Sequence, residues 1–138
     1  MSNTRINWRL HLEASWKTLD YTFPDPPTYL SAEATIYCWV VGDEPELAYY
    51  IGETEWLKRR IQHLRTPGPT QQTNLRLHDL FDETLAAGGV VELRVLRSIQ
   101  LNGELLDDDA LSSKSLRRLL EAWCLRQFRV DGRQMLNR

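Results

Sequence analysis

Two apolar segments, residues 34–41 and 47–52, are separated by the turn-forming stretch Gly42-Asp43-Glu44-Pro45. This spacing predicts two paired antiparallel strands. Side chains alternate between the faces of a sheet, so one face of this hairpin would carry Ile36, Cys38, Val40, Leu47, Tyr49 and Ile51. The same parity places Tyr37 and Tyr50 together on the opposite face.

A helix is predicted to follow from about residue 55 to residue 65, with Thr54 as its N-cap. Its buried stripe consists of Leu57, Ile61 and Leu64. At about 100° per residue, Arg60 lies roughly 60° from the centre of this stripe and Arg59 roughly 160° away. Arg60 therefore borders the buried face, where a cleft would form, and Arg59 points to solvent. Gly52, which has no Cβ, allows close backbone approach between the strand and this helix.

Further along the chain, apolar spacing predicts a second helix at 71–87, a third strand at 90–96 and a last helix at 113–129. Asn102-Gly103 is a type I′ turn signal. Glu121 falls at the border of the apolar stripe of the last helix, a position suited to a cleft. The expected fold class is α+β, with a small antiparallel or mixed three-stranded central sheet flanked by helices.

Residues 1–33 are predicted to be an N-terminal extension to a single domain at 34–138. Apolar and polar residues alternate over residues 6–12, as in a half-buried strand, and prolines interrupt the chain at 24–27. Three roles are open for the extension: it covers the sheet edge, contacts substrate or builds a dimer.

Composition is that of an ordinary soluble globular protein. No apolar run approaches the length of a membrane span, and the first residues lack the apolar core of a signal peptide, so we expect a cytoplasmic protein. Cys38 and Cys124 are far apart without metal-binding spacing and are expected to be reduced core residues. The metal to expect is a hard divalent cation held by carboxylate oxygen.

The net charge of −2 does not by itself favour a nucleic-acid binder, but the charge is unevenly distributed. Residues 54–76 carry five basic side chains and one acidic side chain, and residues 111–138 carry seven and two. These segments have net charges of +4 and +5, which leaves −11 on the rest. A molecule charged in this way can hold a phosphate backbone on one side, although basic helix faces are also commonly just solvated.

The order of the polar residues carries more information than the charge. Ile36-Tyr37 is followed by Tyr50-Ile51-Gly52, then by Arg60, a late helical Glu121 and a near-terminal Asn137. This ordered set resembles the GIY-YIG nuclease family, with residues 50–60 as the closest match and residues 34–137 as the region covered. Tyr49 competes for the second tyrosine position, but Ile51-Gly52 and the distance to Arg60 favour Tyr50.

The resemblance implies a divalent-metal-dependent DNA endonuclease that hydrolyses phosphodiester bonds. Glu121 would be the single protein ligand of Mg²⁺ (or Mn²⁺), which keeps most of its waters. Arg60 would clamp the scissile phosphate, because its planar fork matches phosphate oxygens. The alternatives are a surface glutamate paired with Arg117 and a surface or interface arginine.

Four further side chains receive roles by the same resemblance. Tyr37 would be the general base, since a metal and Arg60 would favour its phenolate. Tyr50 would hydrogen-bond the attacking water or phosphate, or would simply pack across strands. His63 would relay a proton or touch phosphate, and Asn137 would fix the site by hydrogen bonding unless it is only a tail residue.

Contacts to DNA are expected from basic residues of the positive segments: Lys58, Arg59, Arg65, Arg76 and Arg117. The other expected partners are a second copy of the chain or a protein that supplies specificity. The alternative to an enzyme is an inactive nucleic-acid-binding or protein-interaction module on the same scaffold. A D-x-D metal site at 107–109 is also open.

Overall fold

The computed structural model describes residues 12–20, 34–106 and 108–137. The predicted strand at 6–12 lies outside this part of the chain, apart from Leu12, and so do His11, Asp107 and the prolines at 24–27. The elements follow in the order β1 (Leu12–Asp20), β2 (Thr35–Asp43), β3 (Glu46–Thr54), α1 (Leu57–Arg65), α2 (Gln72–Ala86), β4 (Val90–Leu101), β5 (Glu104–Leu105), α3 (Lys114–Val130) and β6 (Gln134–Met135). A 3-10 turn, Asp108–Ser112, precedes α3.

The strands form one mixed sheet in the order β1-β4-β2-β3-β6, with β5 paired to β4. All neighbours are antiparallel except β3 and β6, which run parallel. The predicted α+β class is confirmed, with β2, β3 and β4 as the predicted central strands. The sheet is wider than predicted because β1 and two short strands extend it.

The register of the β2–β3 hairpin places Tyr37 opposite Gly52 and Trp39 opposite Tyr50. Tyr37, Trp39 and Tyr50 therefore share one face of the sheet, whereas Cys38 and Ile51 lie on the other face. The parity predicted from the sequence is confirmed, and the two tyrosines lie diagonally across from each other on paired strands.

The two faces of the sheet are covered by different helices. Leu57, Ile61 and Leu64 of α1 and Leu77 and Phe81 of α2 pack on the face of Tyr37. Trp39 anchors this layer, with its ring centroid 4.9 Å from that of Phe81. Leu120 and Cys124 of α3 pack on the opposite face with Cys38, and both cysteines are buried free thiols, as predicted.

The starts of the helices reflect local hydrogen bonding. Helix α1 begins at Leu57 rather than at residue 55, and Thr54 is not its N-cap. The Thr54 hydroxyl instead accepts the Trp56 backbone N–H at 3.2 Å, which leaves Trp56 at the N-cap position. Helix α3 is capped conventionally, because the Ser113 hydroxyl accepts the N–H of Leu116 at 3.3 Å.

The predicted turn at Asn102-Gly103 is confirmed, since both residues have positive φ (51° and 84°), as a type I′ turn requires. Strand β4 is longer than predicted, and its additional residues pair with β1. The N-terminal strand β1 thus covers the edge of β4, one of the three roles open for the extension.

Within the described residues, no helix combines the length and apolar character that crossing a bilayer demands.

A buried ion pair links β3 to α3. The side chain of Arg117, whose residue is 3% exposed, donates from Nε to Glu53 Oε2 at 2.9 Å. Its Nη1 donates to the carbonyl oxygens of Leu111 and Ser112 at 2.9 and 3.0 Å. The guanidinium therefore holds the strand, the 3-10 turn and the helix together.

Replacing Arg117 by Met should destabilise the protein by about 3 kcal/mol or more, because the Glu53 carboxylate loses its buried partner. Arg126→Met, at an exposed position on the same helix, is the matched control and should change stability by less than about 0.5 kcal/mol. Urea unfolding of both variants measures the difference. Equal midpoints for the two variants would show that the ion pair contributes nothing.

Candidate active site

The outer edge of β3 is where the candidate residues meet. In the described part of the chain, β6 pairs with this edge only at Ala48 and Tyr49. Beyond those residues, the Asn137 side chain takes the place of a strand: it accepts the Ile51 N–H at 2.9 Å and donates to the Ile51 carbonyl oxygen at 2.7 Å. Beyond Ile51, side chains from both faces of the sheet flank the edge of β3.

Tyr37 reaches this edge by lying across β3. It starts from β2, is 4% exposed, and places its hydroxyl and ring against the backbone of Gly52. A Cβ at Gly52 would overlap the phenol oxygen and Cζ of Tyr37. The strand can be crossed at this position because glycine has no side chain there.

A cleft of about 530 Å³ opens above the tyrosines. Tyr37 and Tyr50 line it from the sheet, Arg60 and His63 from α1, and Gln72 from the start of α2. Arg60 and His63 are three residues apart and therefore lie on the same face of the helix. Both are half-buried, and for Arg60 this agrees with its predicted place at the border of the apolar stripe.

Tyr49 does not enter this cleft. Its ring lies on the other face of the sheet, 5.5 Å from the ring centroid of Phe128, with the guanidinium of Arg133 at 4.9 Å. Of the two adjacent tyrosines, only Tyr50 shares a cavity with Arg60. Tyr50 is therefore the one of these two tyrosines that faces the cleft.

Glu121 belongs to α3, which packs on the face of the sheet opposite to Tyr37. Its carboxylate nevertheless reaches the same edge of β3, where a cavity of about 460 Å³ is lined by Tyr50, Glu121, Asn137, Arg76 and Arg129, among others. Burial raises the pKa of both Tyr37 and Tyr50, and the charge of Glu121 adds to that increase. The carboxylate is thus within electrostatic reach of both phenols.

Burial also raises the pKa of Glu121, and the nearby charge of Glu53 raises it further. The backbone of Glu53, which donates a hydrogen bond, and the charges of Arg118 and Arg60 lower the pKa of Glu121 to a smaller extent. The result is a partly desolvated carboxylate beside a second carboxylate. Cation binding would relieve both unfavourable contributions.

Arg60 lowers the pKa of Tyr37, as expected, but this lowering is outweighed by burial. Burial raises the pKa of Tyr37 well above its usual value, and the lowering by Arg60 is the smaller effect. The phenol is therefore protonated at neutral pH in the protein without metal. Tyr37 is accordingly a hydrogen-bond donor in this state.

The basic residues predicted to contact DNA have different surroundings. Lys58 and Arg59 are exposed, and Arg65 is half-buried. Arg76 donates from Nη1 to the Leu136 carbonyl oxygen at 3.1 Å and lines the cavity of Glu121. Arg117 is not the surface phosphate contact that was predicted, because it is buried and bonded to Glu53 as described above. It is also not the surface partner of Glu121.

The donor set fits a cation that binds through one carboxylate. Among the described residues, no group of three or more His, Cys, Asp and Glu side chains is placed to enclose a metal. Glu121 alone presents a partly desolvated carboxylate to the cavity, and magnesium tolerates a single protein ligand because it retains waters. Asp109 is exposed, and Asp107 lies outside the described residues.

Two residues near the site were missed in the sequence. Glu53 immediately follows Gly52 and joins Arg117 to β3, and Trp56 is 48% exposed beside Arg59 and Arg60. A charged residue within a strand, next to the Tyr-Ile-Gly motif, was the available signal for Glu53. Trp56 offered no such signal.

Comparison of the chain with protein-family models, with curated proteins and with solved structures finds no match. The six residues predicted to be catalytic line two cavities that share Tyr50: Tyr37, Tyr50, Arg60, His63, Glu121 and Asn137.

Gly52→Ala should destabilise the protein by about 1–3 kcal/mol, because the new Cβ overlaps the ring of Tyr37. Gly68→Ala is the control, since its nearest new contact is an ordinary 3.6 Å. Urea unfolding of both variants is the measurement. A Gly52→Ala protein as stable as the parent would contradict the crossing of the strand by Tyr37.

The stability contributed by neutral Tyr37 should be lost at alkaline pH. The pKa of Tyr37 is raised in the folded state, so this contribution is complete at pH values below about 10, the pKa of tyrosine in the unfolded chain. Above that pH the contribution falls by up to about 1.4 kcal/mol per pH unit. The difference in unfolding free energy between the parent and Tyr37→Phe should therefore shrink from about pH 9 to about pH 11. A difference that stays constant over this range would contradict the pKa assigned to Tyr37.

Proposed function

We propose that this protein is a divalent-metal-dependent DNA endonuclease that hydrolyses phosphodiester bonds. The observation that carries the proposal is the meeting of side chains from both faces of the sheet at one edge. Tyr50 shares one cavity with Arg60 and a second with Glu121. A guanidinium and a carboxylate in two cavities on either side of a shared phenol provide what phosphodiester hydrolysis requires: charge neutralisation, orientation and proton transfer.

Arg60 would bind the phosphate that is to be cleaved. Its side chain leaves the border of the buried face of α1 and lines the cleft beside both tyrosines. A guanidinium offers two parallel donors to phosphate oxygens and remains charged at any relevant pH. His63, one turn further along α1, would contact a neighbouring phosphate oxygen or pass on a proton.

Glu121 would hold Mg²⁺ or Mn²⁺. When bound, such a cation supplies positive charge to phosphoryl oxygens and lowers the pKa of its water. Asn137 would keep Ile51, and with it the β3 edge, in place through the two hydrogen bonds described above. Its role would therefore be to position the edge on which Tyr50 lies.

The tyrosines would act on the attacking water and the phosphate. Tyr50 would donate a hydrogen bond to either group, since this residue lines both cavities. Tyr37 would also donate a hydrogen bond while it is protonated. It would accept a proton only as phenolate, a form that burial opposes and the charge of Arg60 favours. Cleavage should accordingly become faster as the pH rises.

One observation favours a second candidate, a DNA-binding or protein-interaction module without catalysis. The buried Tyr37 phenol also serves as core, because it packs in the same cluster as Trp39 and Leu64. A side chain with this packing role can persist on the scaffold without taking part in a reaction. Cleavage assays separate the two candidates.

Glu121→Ala should lower magnesium-dependent nicking of supercoiled plasmid by about 100-fold or more, because the cation loses its protein ligand. Glu83→Ala removes an exposed carboxylate of α2 and is the matched control. The rate of nicking with magnesium and with EDTA is measured for the three proteins.

Magnesium-dependent nicking that survives in Glu121→Ala would reject the assignment of the metal to Glu121. Failure of the parent protein to nick any form of DNA, with binding retained, would support the non-catalytic module. Equal losses in Glu121→Ala and Glu83→Ala would point to a general effect of surface charge.

A further inference from the structure

A third cavity, of about 550 Å³, adjoins the candidate active site on the side of α1. It shares Arg60 and His63 with the cleft above the tyrosines, so a ligand bound at Arg60 can extend directly into it. Trp56, Arg59 and Lys114 also line this cavity. None of the catalytic roles proposed above uses these three residues.

The backbone of Trp56 is held firmly while its side chain is half-exposed. Its N–H donates to the Thr54 hydroxyl at 3.2 Å, and its carbonyl oxygen accepts the Arg60 N–H at 3.2 Å. The indole is nevertheless 48% exposed, one of few large apolar side chains at the surface of the described residues. A fixed backbone with an exposed ring presents a flat surface at low entropic cost.

The charges around the indole favour an anion. Glu53 is paired with Arg117 at the side of the cavity, which cancels one negative and one positive charge. Arg59, Arg60 and Lys114 then face a single remaining carboxylate, that of Glu55, among the described residues that line the cavity. An exposed aromatic ring among surplus cations matches one nucleotide: a base for the ring and phosphates for the cations.

We propose that Trp56 stacks an unpaired nucleobase next to the scissile phosphate, with Arg59 and Lys114 bound to the adjoining phosphates. This proposal rests on the proposed function, because it assumes that DNA occupies the site of Arg60. A paired base inside a duplex has both faces covered by its neighbours, so a ring stacks there only by separating base pairs, whereas a single-stranded or extruded base offers a free face. The substrate class is therefore DNA that contains unpaired nucleotides near the cleavage site.

The test compares binding of three DNA ligands: a single strand of about 12 thymidines, a fully paired duplex, and the same duplex with one bulged nucleotide. Fluorescence anisotropy with EDTA present gives each affinity without cleavage. Trp56→Leu keeps an apolar side chain but removes the ring, and should weaken single-strand binding about 10-fold. Binding to the paired duplex should change by less than about twofold.

Two variants serve as controls. Trp56→Phe retains an aromatic face and should bind the single strand within about threefold of the parent. Leu105→Ala removes another exposed apolar side chain and should have no effect on binding. Equal thermal midpoints for all the variants show that the substitutions leave the stability of the fold unchanged.

The bulged duplex separates the two sources of an unpaired base. If Trp56→Leu weakens binding of both the bulged duplex and the single strand, extruded bases reach the ring. If it weakens binding of the single strand alone, the substrate is restricted to single-stranded DNA. Both results support stacking.

Unchanged single-strand binding in Trp56→Leu would overturn the proposal. The exposed indole would then be a contact for a protein partner. Equal weakening for the single strand and the paired duplex would also overturn it. The binding test is independent of cleavage. If the parent protein does not nick DNA but Trp56→Leu still weakens binding of the single strand selectively, the endonuclease is contradicted and the stacking site is supported. Nicking that depends on Glu121, with no effect of Trp56→Leu on binding, would support the endonuclease and overturn the stacking site.

Discussion

The ring of Tyr37 lies across the backbone of Gly52, and the candidate site depends on this crossing. Tyr37 starts on an interior strand, so its hydroxyl can approach the sheet edge only by passing over β3. Glycine is the one residue that leaves the space for it. The same contact buries the phenol, and burial is the largest cause of its raised pKa. Position and protonation state of Tyr37 therefore have a single structural origin.

Helices on opposite faces of the sheet contribute side chains to two cavities that share Tyr50 on β3. Helix α1 supplies Arg60 from the face of the tyrosines, and α3 supplies Glu121 from the other face. Two contacts hold this arrangement: the ion pair of Arg117 with Glu53, and the double hydrogen bond of Asn137 with Ile51. Both contacts are made to β3 itself, at residues beyond its short pairing with β6.

Periodicity was enough to predict much of the fold. The two-residue period placed Tyr37 and Tyr50 on one face, and the helical period placed Arg60 at the border of a buried stripe. Patterns of this kind do not show contacts across long stretches of chain. The burial of Arg117 depends on Glu53, 64 residues away, and helical spacing alone suggested a surface residue. The start of α1 was misplaced because Thr54 bonds Trp56 instead of capping the helix. The balance between burial and Arg60 at Tyr37 likewise required the packed structure.

Paramagnetic broadening of NMR signals by Mn²⁺ tests the convergence of the site most directly. Bound near Glu121, Mn²⁺ should broaden the backbone amides of Gly52 and Glu53 and the side-chain signals of Tyr50 and Arg60. Glu121→Gln should abolish this broadening. Broadening centred instead on the acidic turn at Asp43, Glu44 and Glu46, or unchanged in Glu121→Gln, would contradict a cation site formed where α3 meets the edge of β3.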